Sequence, residues 1–305
     1  MISLEEYKNN FIKRYDYEPY LKYFTYNDFK YLSLEEHNIK VGTDTIKGGF
    51  YYYDNYNPNQ LVVFVHGMGP GHLSYLREIE AIANKGYKVF AYDMIGSGKS
   101  SSKAIKGLLG AIESLDWVLD DLKDKYKSIS IIGHSLGAFA SLNIVKYKPY
   151  IKNVVTISGF VSIDLLSSMS NEPSKIIEYE RSLNKKYYQN HDDVIASLDK
   201  YQGRLMVIHS TDDMVVNPEI GINYLKSNLR KDATYIEVDG KKHNPNYKAS
   251  AVKYMNDIFS DFNKKASENN WSIDDKKKYF VTVDFKKMTE QDENIWNQIF
   301  DFLEK

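Results

Sequence analysis

The chain has 305 residues, of which 43% are hydrophobic and 14% aromatic, so it can bury a large core and is not globally disordered. Its 40 basic and 41 acidic side chains give a net charge of −1, which provides no overall field to attract nucleic acid or an anionic membrane surface. The sequence contains no cysteine, which excludes disulfides, thiolate catalysis and thiolate metal sites.

Residues 1–30 predict a mostly helical N-terminal extension. Ser3 and Glu6 match a capping box, and Tyr7, Phe11 and Tyr15 recur on one face of a helix. The same region has no apolar signal-peptide core, and no uncharged apolar run approaches the roughly 18 residues of a membrane span. We therefore expect a cytoplasmic protein with no integral membrane association.

Residues 31–54 predict two antiparallel strands, after which strands alternate with helices. Strands rich in apolar and β-branched residues are predicted over 60–67, 86–93, 128–135, 152–160, 204–213 and 233–240. Helices are predicted over 74–85, 107–125, 136–146 and 218–229. This alternation indicates an α/β fold with a doubly wound, mostly parallel sheet. No linker divides the chain, so residues 1–305 are expected to form one domain.

Two segments depart from this alternation. Residues 161–190 lie within an unusually long connection and predict a small helical insertion, a lid; a surface helix without a role is the alternative. After a helix over 248–268, residues 269–305 form a C-terminal extension with a strand at 279–285 and a final helix over 290–305. The final helix would bury Ile295, Trp296, Ile299 and Phe302. Residues 1–30 would cover exposed sheet or helix faces or form a homodimer contact.

Chemically useful residues follow the predicted strands. The pattern Gly133-x-Ser135-x-Gly137 suits a very tight strand-to-helix corner, which forces the serine into a strained, outward-pointing position. Asp212 and Asp213 end the strand over 204–213, and His243 follows the strand over 233–240. Because open parallel sheets bind ligands beyond the carboxyl ends of their strands, these side chains are expected at one edge.

Four motifs occur in a fixed order, each after a predicted strand: HGMG at 66–69, DMIGSGKS at 93–100, GHSLG at 133–137 and HSTDDMVV at 209–216. With them, residues 45–260 resemble the serine hydrolases of the α/β-hydrolase superfamily, and within it the monoacylglycerol-lipase and lysophospholipase-type bacterial esterases. The family pattern His-Gly-x-x-Asp-x-Val-Val implies Asp213 as the acid and leaves Asp212 as the alternative, while Ser210 replaces the usual glycine.

These residues have complementary roles in acyl transfer. A serine hydroxyl is a poor nucleophile until a neighbouring imidazole takes its proton, so Ser135 is the expected nucleophile and His243 the general base. Asp213 would orient the imidazole. The corner supplies the backbone N–H of Leu136 to an oxyanion hole, and the resemblance implies the N–H of Met68 as the second donor.

The remaining histidines have less defined roles. His66 and His209 lie at strand ends and are expected to orient loops or fill the core, and His134 is expected to pack within the sheet. His72 is left open between the pocket and the core. No metal-ligand spacing such as His-Glu-x-x-His occurs, so neither a metal nor another cofactor is predicted.

The expected function is hydrolysis of a carboxylic ester with a small or medium acyl group, through an acyl-enzyme. A monoacylglycerol or lysophospholipid substrate is a further option if the lid lines the pocket. An acyltransferase or amidase on the same three residues is an alternative, because the entering nucleophile decides the product. A non-catalytic protein of the same fold that binds a small molecule is a second alternative. The expected partner is a small-molecule acyl ester, with no nucleic acid.

Overall fold

The computed structural model describes residues 2–305, so Met1 of the predicted extension lies outside the described residues. One sheet has the strand order β1-β2-β4-β3-β5-β6-β7-β8. The strands are β1 (Ser33–Val41), β2 (Asp44–Tyr52), β3 (Gln60–Val65), β4 (Lys88–Tyr92), β5 (Ser128–His134), β6 (Asn153–Ile157), β7 (Arg204–Ser210) and β8 (Thr234–Val238).

Helices lie along the chain between and beyond these strands. They are α1 (Leu4–Phe11), α2 (Leu76–Asn84), α3 (Gly110–Leu122), α4 (Leu136–Asn143), α5 (Ile163–Ser167), α6 (Pro173–Asn184), α7 (His191–Lys200), α8 (Ile222–Asn228), α9 (Ala249–Glu268), α10 (Ile273–Val281), α11 (Phe285–Met288) and α12 (Glu293–Glu304). Between residues 2 and 305, no helix is both long enough and apolar enough to cross a membrane.

The pairing confirms the predicted doubly wound, mostly parallel sheet. β1 pairs with β2 and β2 with β4 in antiparallel register, and every pair from β4–β3 to β7–β8 is parallel. All residues of β4 and β6 are buried, as expected for strands covered by helices on both faces. The carboxyl ends of β3, β5, β6, β7 and β8 therefore meet at one edge.

The N-terminal extension is helical only in part. α1 begins with the predicted Ser3–Glu6 capping box, but the helical prediction is wrong for residues 12–25, which follow an irregular path. Tertiary hydrogen bonds fix this path: the Arg14 guanidinium donates to the carbonyls of Ser100 and Ser102. These partners are far away in sequence, so local spacing could not reveal them.

The C-terminal extension contains one correction and one agreement. Residues 279–285 were predicted as a strand, but the region forms α10 and the start of α11. A capping box between Ser272 and Asp275 begins α10, and Phe280 packs against Phe262 of α9 with ring centroids 4.7 Å apart. α12 confirms the predicted final helix, and it buries the four predicted side chains Ile295, Trp296, Ile299 and Phe302.

Residues 161–190 contain α5 and α6, which follow β6 at the carboxyl edge of the sheet. α1 contacts this region, because the N–H of Leu4 donates to the Glu172 carboxylate over 2.8 Å. The N-terminal helix and the predicted lid thus lie together beside the strand ends.

Candidate active site

Ser135 occupies the sharp corner between β5 and α4. Its backbone angles, φ 54° and ψ −117°, lie in a region that residues with a side chain rarely adopt. A Cβ atom at Gly133 would lie 2.3 Å from the carbonyl oxygen of Gly137, and one at Gly137 would lie 2.1 Å from that of Val65. The two glycines therefore let strand, corner and helix approach closely enough to hold the serine in this strained position.

The predicted oxyanion donors lie on the two segments that flank Ser135. Leu136 is the first residue of α4, so its N–H has no acceptor within the helix and lies at the positive end of the helix dipole. The segment that carries Met68 packs against the corner, because a Cβ atom at Gly67 would lie 3.1 Å from the Cβ of Ser135. Both donors are thus near the proposed nucleophile.

Asp213 and His243 form a buried pair. His243 Nδ1 lies 2.8 Å from Asp213 Oδ2, and the other carboxylate oxygen accepts the N–H groups of Val215 and Val216 over 2.8 and 3.1 Å. Burial alone would raise the pKa of Asp213, but hydrogen bonds from His209 and His243 outweigh it and lower this pKa below its ordinary range. The carboxylate is therefore ionised and aimed at the imidazole.

Asp212, the alternative acid, points to another partner. Its carboxylate accepts the Lys242 N–H over 3.0 Å and lies 3.1 Å from Lys242 Nζ. The structure thus brings Asp213, rather than Asp212, to His243. Within residues 2–305 no hydrogen bond joins Ser135 Oγ to His243, and such contacts commonly tighten only when substrate is bound.

His209 holds the acid loop, residues 211–217, in place. It is fully buried, and its Nε2 lies 3.2 Å from Asp213 Oδ2 and 3.0 Å from the carbonyl oxygen of Val216. The prediction that this histidine orients a loop agrees with these contacts. A similar role belongs to His66, whose Nδ1 lies 2.6 Å from the carbonyl oxygen of Gly67 and whose Nε2 accepts the Met94 N–H.

Sequence reasoning missed Tyr75, which connects Gly67, through His134, to the loop that carries His243. The Gly67 N–H donates to the Tyr75 hydroxyl over 3.2 Å, and this hydroxyl lies 2.9 Å from His134 Nδ1. His134 Nε2 in turn lies 2.8 Å from the carbonyl oxygen of His243. Burial lowers the pKa of His134 to about 3, so its ring is neutral. The Tyr75 O–H therefore donates to Nδ1, and the Nε2–H donates to His243.

A second Asp–His pair, Asp93 and His72, lies along the same edge. His72 Nδ1 is 2.6 Å from Asp93 Oδ1, and His72 Nε2 is 2.8 Å from the Tyr51 hydroxyl. His72 is buried, and it also lines a cavity of about 310 Å³ together with Tyr51 and Asp93, so it both packs in the interior and faces a cavity. Asp93 also accepts the Tyr17 hydroxyl and the Lys99 N–H, which makes it the centre of a structural network.

The described part of the chain contains no candidate metal-binding site. No group of three or more histidine, aspartate or glutamate side chains within residues 2–305 is arranged to hold a metal ion. The arrangement of Ser135, Asp213 and His243 instead suits nucleophilic attack assisted by an imidazole.

Comparison with known proteins identifies similar hydrolases. The family model described as serine aminopeptidase, S33, matches residues 56–191, which include Ser135 and end before Asp213 and His243. A 2-hydroxy-6-oxononadienedioate/2-hydroxy-6-oxononatrienedioate hydrolase of Burkholderia vietnamiensis is 32% identical over 129 residues, 40% of this chain and 43% of that protein. A proline iminopeptidase of Saccharolobus solfataricus is 28% identical over 136 residues, 41% of this chain and 43% of that protein. These matches span less than half the length of each relative.

Solved structures share the fold over a larger part of the chain. An esterase of Pyrococcus furiosus has a TM-score of 0.58 at 18% identity and covers 84% of this chain and 97% of its own. Est1E of Butyrivibrio proteoclasticus, solved with ferulic acid bound, has a TM-score of 0.58 at 19% identity and covers 75% of this chain and 98% of its own. At these identities the likeness shows a common fold.

Proposed function

We propose that the chain is a serine hydrolase of the α/β-hydrolase superfamily that cleaves a carboxylic ester with a small or medium acyl group; the family match over residues 56–191 and the shared fold support this. The observation that carries this proposal is the joint position of Ser135 and the Asp213–His243 pair at one sheet edge. Ser135 is held at φ 54°, and His243 Nδ1 lies 2.8 Å from a buried carboxylate.

The same groups act in both half-reactions, and His243 serves in each first as base and then as acid. Ser135 Oγ attacks the ester carbonyl carbon while His243 Nε2 takes the hydroxyl proton, and the Asp213 carboxylate stabilises the resulting imidazolium. The carbonyl oxygen becomes an oxyanion that accepts the N–H groups of Met68 and Leu136. The intermediate then expels the alcohol, which receives the proton from His243, and leaves an acyl-enzyme. Water attacks the acyl-enzyme by the same route and releases the acid.

Labelling with a fluorophosphonate tests the nucleophile. Wild type, Ser135→Ala and His243→Ala are treated with the reagent, and the modified peptide is identified by mass spectrometry. We expect the label on Ser135, its absence in Ser135→Ala and a rate lower by at least about 10³-fold in His243→Ala, because the imidazole activates the hydroxyl.

Ser158 offers a matched control. It follows β6 with φ 52°, so its backbone resembles that of Ser135, but its side chain is fully buried. Ser158→Ala is expected to label and to hydrolyse p-nitrophenyl esters at the wild-type rate. A folded wild type that neither labels nor turns over any ester of the series would contradict the esterase and favour the non-catalytic binding protein.

An acyltransferase or amidase on the same residues is the second candidate, because the entering nucleophile and the leaving group decide the product, and a relative named as a proline iminopeptidase favours the amidase. Acyl transfer differs from ester hydrolysis in the nucleophile of the second half-reaction, and amide hydrolysis differs from it in the leaving group. Partition of the acyl-enzyme between water and an added alcohol, and turnover of a p-nitroanilide, distinguish them from ester hydrolysis. The homodimer and the cytoplasmic location stay predictions.

A further inference from the structure

An apolar cavity of about 210 Å³ lies between the N-terminal helix and the predicted lid. Its walls include Tyr7 and Phe11 of α1, Ile163 and Leu166 of α5, and Val215 of the acid loop. An apolar protein cavity of about 150 Å³ can already take up benzene. This cavity therefore has the size and lining for the apolar part of a small molecule.

Several hydrogen bonds hold α1 in place as one wall of the cavity. The Asn171 N–H donates to the carbonyl oxygen of Ile2 over 3.0 Å, and the Leu4 N–H donates to Glu172 over 2.8 Å. The Tyr7 hydroxyl donates to Glu180 over 2.6 Å, and this contact is buried. The N-terminal helix is thus tied at its amino end and at its middle to the segment that carries α6.

Glu180 connects this wall to the body of the protein. Its carboxylate also accepts the N–H groups of Leu108 and Leu109, at the start of α3, over 3.0 and 3.2 Å. Burial raises the pKa of Glu180. A buried carboxyl group that accepts three hydrogen bonds fixes α1, α6 and α3 relative to one another, so the cavity has a defined shape.

The cavity reaches the acid loop that carries Asp213. The Val215 N–H donates to Asp213 Oδ1 over 2.8 Å, and the Val215 side chain lines the cavity while 70% of the residue stays exposed. Ile163 and Leu166 follow β6, which pairs with β5, the strand that leads to Ser135. Val215 therefore stands at the mouth, between the solvent, the cavity and the acid loop.

We propose that this cavity receives the apolar acyl chain of the substrate and that α1 forms its outer wall; the assignment rests on the proposed ester hydrolysis. The acyl group suits an enclosed site better than the alcohol does, because it stays on the enzyme through both half-reactions whereas the alcohol must leave after the first. Burial of each additional methylene should raise kcat/KM about fourfold until the cavity is filled.

A change at the mouth tests the assignment. Val215→Trp places a large ring at an exposed position, so the fold should tolerate it. Met214→Trp is the matched control, because Met214 is 88% exposed on the same loop and does not line the cavity. Across p-nitrophenyl esters from acetate to decanoate, Val215→Trp is expected to lower the octanoate-to-acetate ratio of kcat/KM at least about tenfold, while Met214→Trp keeps the wild-type ratio. An equal ratio in all three proteins would overturn the proposal.

A second substitution tests α1 itself. Phe11→Ala removes a ring from the wall and should move the preferred acyl length upward by at least one methylene pair. An unchanged preference in the folded variant would remove α1 from the site. A response to the length of the alcohol, with none to the length of the acyl chain, would also overturn the assignment.

Binding without turnover separates this proposal from the proposed function. Decanoate is titrated calorimetrically into Ser135→Ala, alone and combined with Val215→Trp or Met214→Trp. We expect about tenfold weaker binding only with Val215→Trp, and absent or equal binding in all three proteins would overturn the cavity proposal even if Ser135 labels normally. Val215-dependent binding in a protein whose Ser135 never labels would overturn the esterase and support the cavity as a site for apolar acids.

Discussion

Two Asp–His pairs lie along the same edge of the sheet, and they differ in the hydrogen-bond partner of the histidine Nε2. In the Asp213–His243 pair, Nδ1 faces the carboxylate, and no hydrogen bond within residues 2–305 engages Nε2. In the Asp93–His72 pair, Nδ1 again faces the carboxylate, but Nε2 lies 2.8 Å from the Tyr51 hydroxyl. Both carboxylates are buried and both distances are short, so neither burial nor the Asp–His contact identifies a catalytic histidine.

The surroundings of each carboxylate explain the difference. Asp93 accepts the Tyr17 hydroxyl from the N-terminal extension and the Lys99 N–H from the loop after β4, so it joins segments distant in sequence. Asp213 accepts two N–H groups from its own loop on one oxygen and faces His243 Nδ1 with the other. The Asp93–His72 pair thus joins distant segments, whereas the Asp213–His243 pair leaves Nε2 for the proton transfer that we propose.

Substitution of each histidine by glutamine should separate these roles most strongly. His243→Gln removes the general base, so kcat for a p-nitrophenyl ester should fall by roughly 10⁴-fold or more with little change in melting temperature. His72→Gln should lower the melting temperature by several degrees and keep kcat within about tenfold of wild type in the folded fraction. Steady-state kinetics and thermal melts on both variants measure this. Equal losses of kcat would show that the two pairs do not differ in role.

Asp93→Asn should reveal the contribution of the second pair to stability. Removing one partner of a buried pair costs about 3 kcal/mol of the free energy of unfolding at pH 7, which urea titration measures. Burial opposes ionisation of Asp93, but the charge and hydrogen bond of His72 outweigh it and lower the pKa from 3.8 to about 2. A depressed pKa stabilises the fold above pH 4, and this contribution is lost as pH falls towards 2.

The difference between wild type and Asp93→Asn should therefore shrink between pH 5 and pH 3. Asp257→Asn is the control, because the Lys253–Asp257 pair is exposed and its loss should cost less than about 0.5 kcal/mol at either pH. A loss of stability in Asp93→Asn that is the same at both pH values would argue against an ionised Asp93 as its source.

Features that depend on residues close together in the sequence could be predicted from the sequence alone. The motifs around Ser135 and Asp213 are local, since close packing at Gly133 and Gly137 constrains residues only a few positions apart. Hydrophobic alternation likewise predicted the sheet. The geometry brings Asp213 to His243 as predicted, and the catalytic roles stay proposals.

Contacts between segments distant in the sequence could not be predicted from the sequence. Alternating apolar residues at 279–285 suggested a strand, yet packing of Phe280 on Phe262 and a capping box select a helix. The irregular path of residues 12–25 depends on hydrogen bonds from Arg14 and Tyr17 to the region 93–102. Tyr75 belongs to no motif, and only its position shortly after HGMG could have suggested a role.

Tyr75→Phe should have a smaller effect than the histidine substitutions and Asp93→Asn. It tests how the oxyanion segment is positioned against the Asp213–His243 pair. The variant leaves the Gly67 N–H and His134 Nδ1 without their shared partner, so the oxyanion segment and the His243 carbonyl lose their link. We expect kcat to fall about tenfold, since the misplaced oxyanion donor weakens a bond worth about 1.4 kcal/mol in the transition state, with KM within twofold, because the oxyanion forms only there. Tyr53→Phe is the matched control, since the Tyr53 hydroxyl donates to Glu80 of α2, the helix that directly follows Tyr75, away from the edge. If both variants lose stability equally and neither loses kcat, Tyr75 only supports packing; if kcat falls in Tyr75→Phe alone, the hydroxyl positions the oxyanion segment against the histidine.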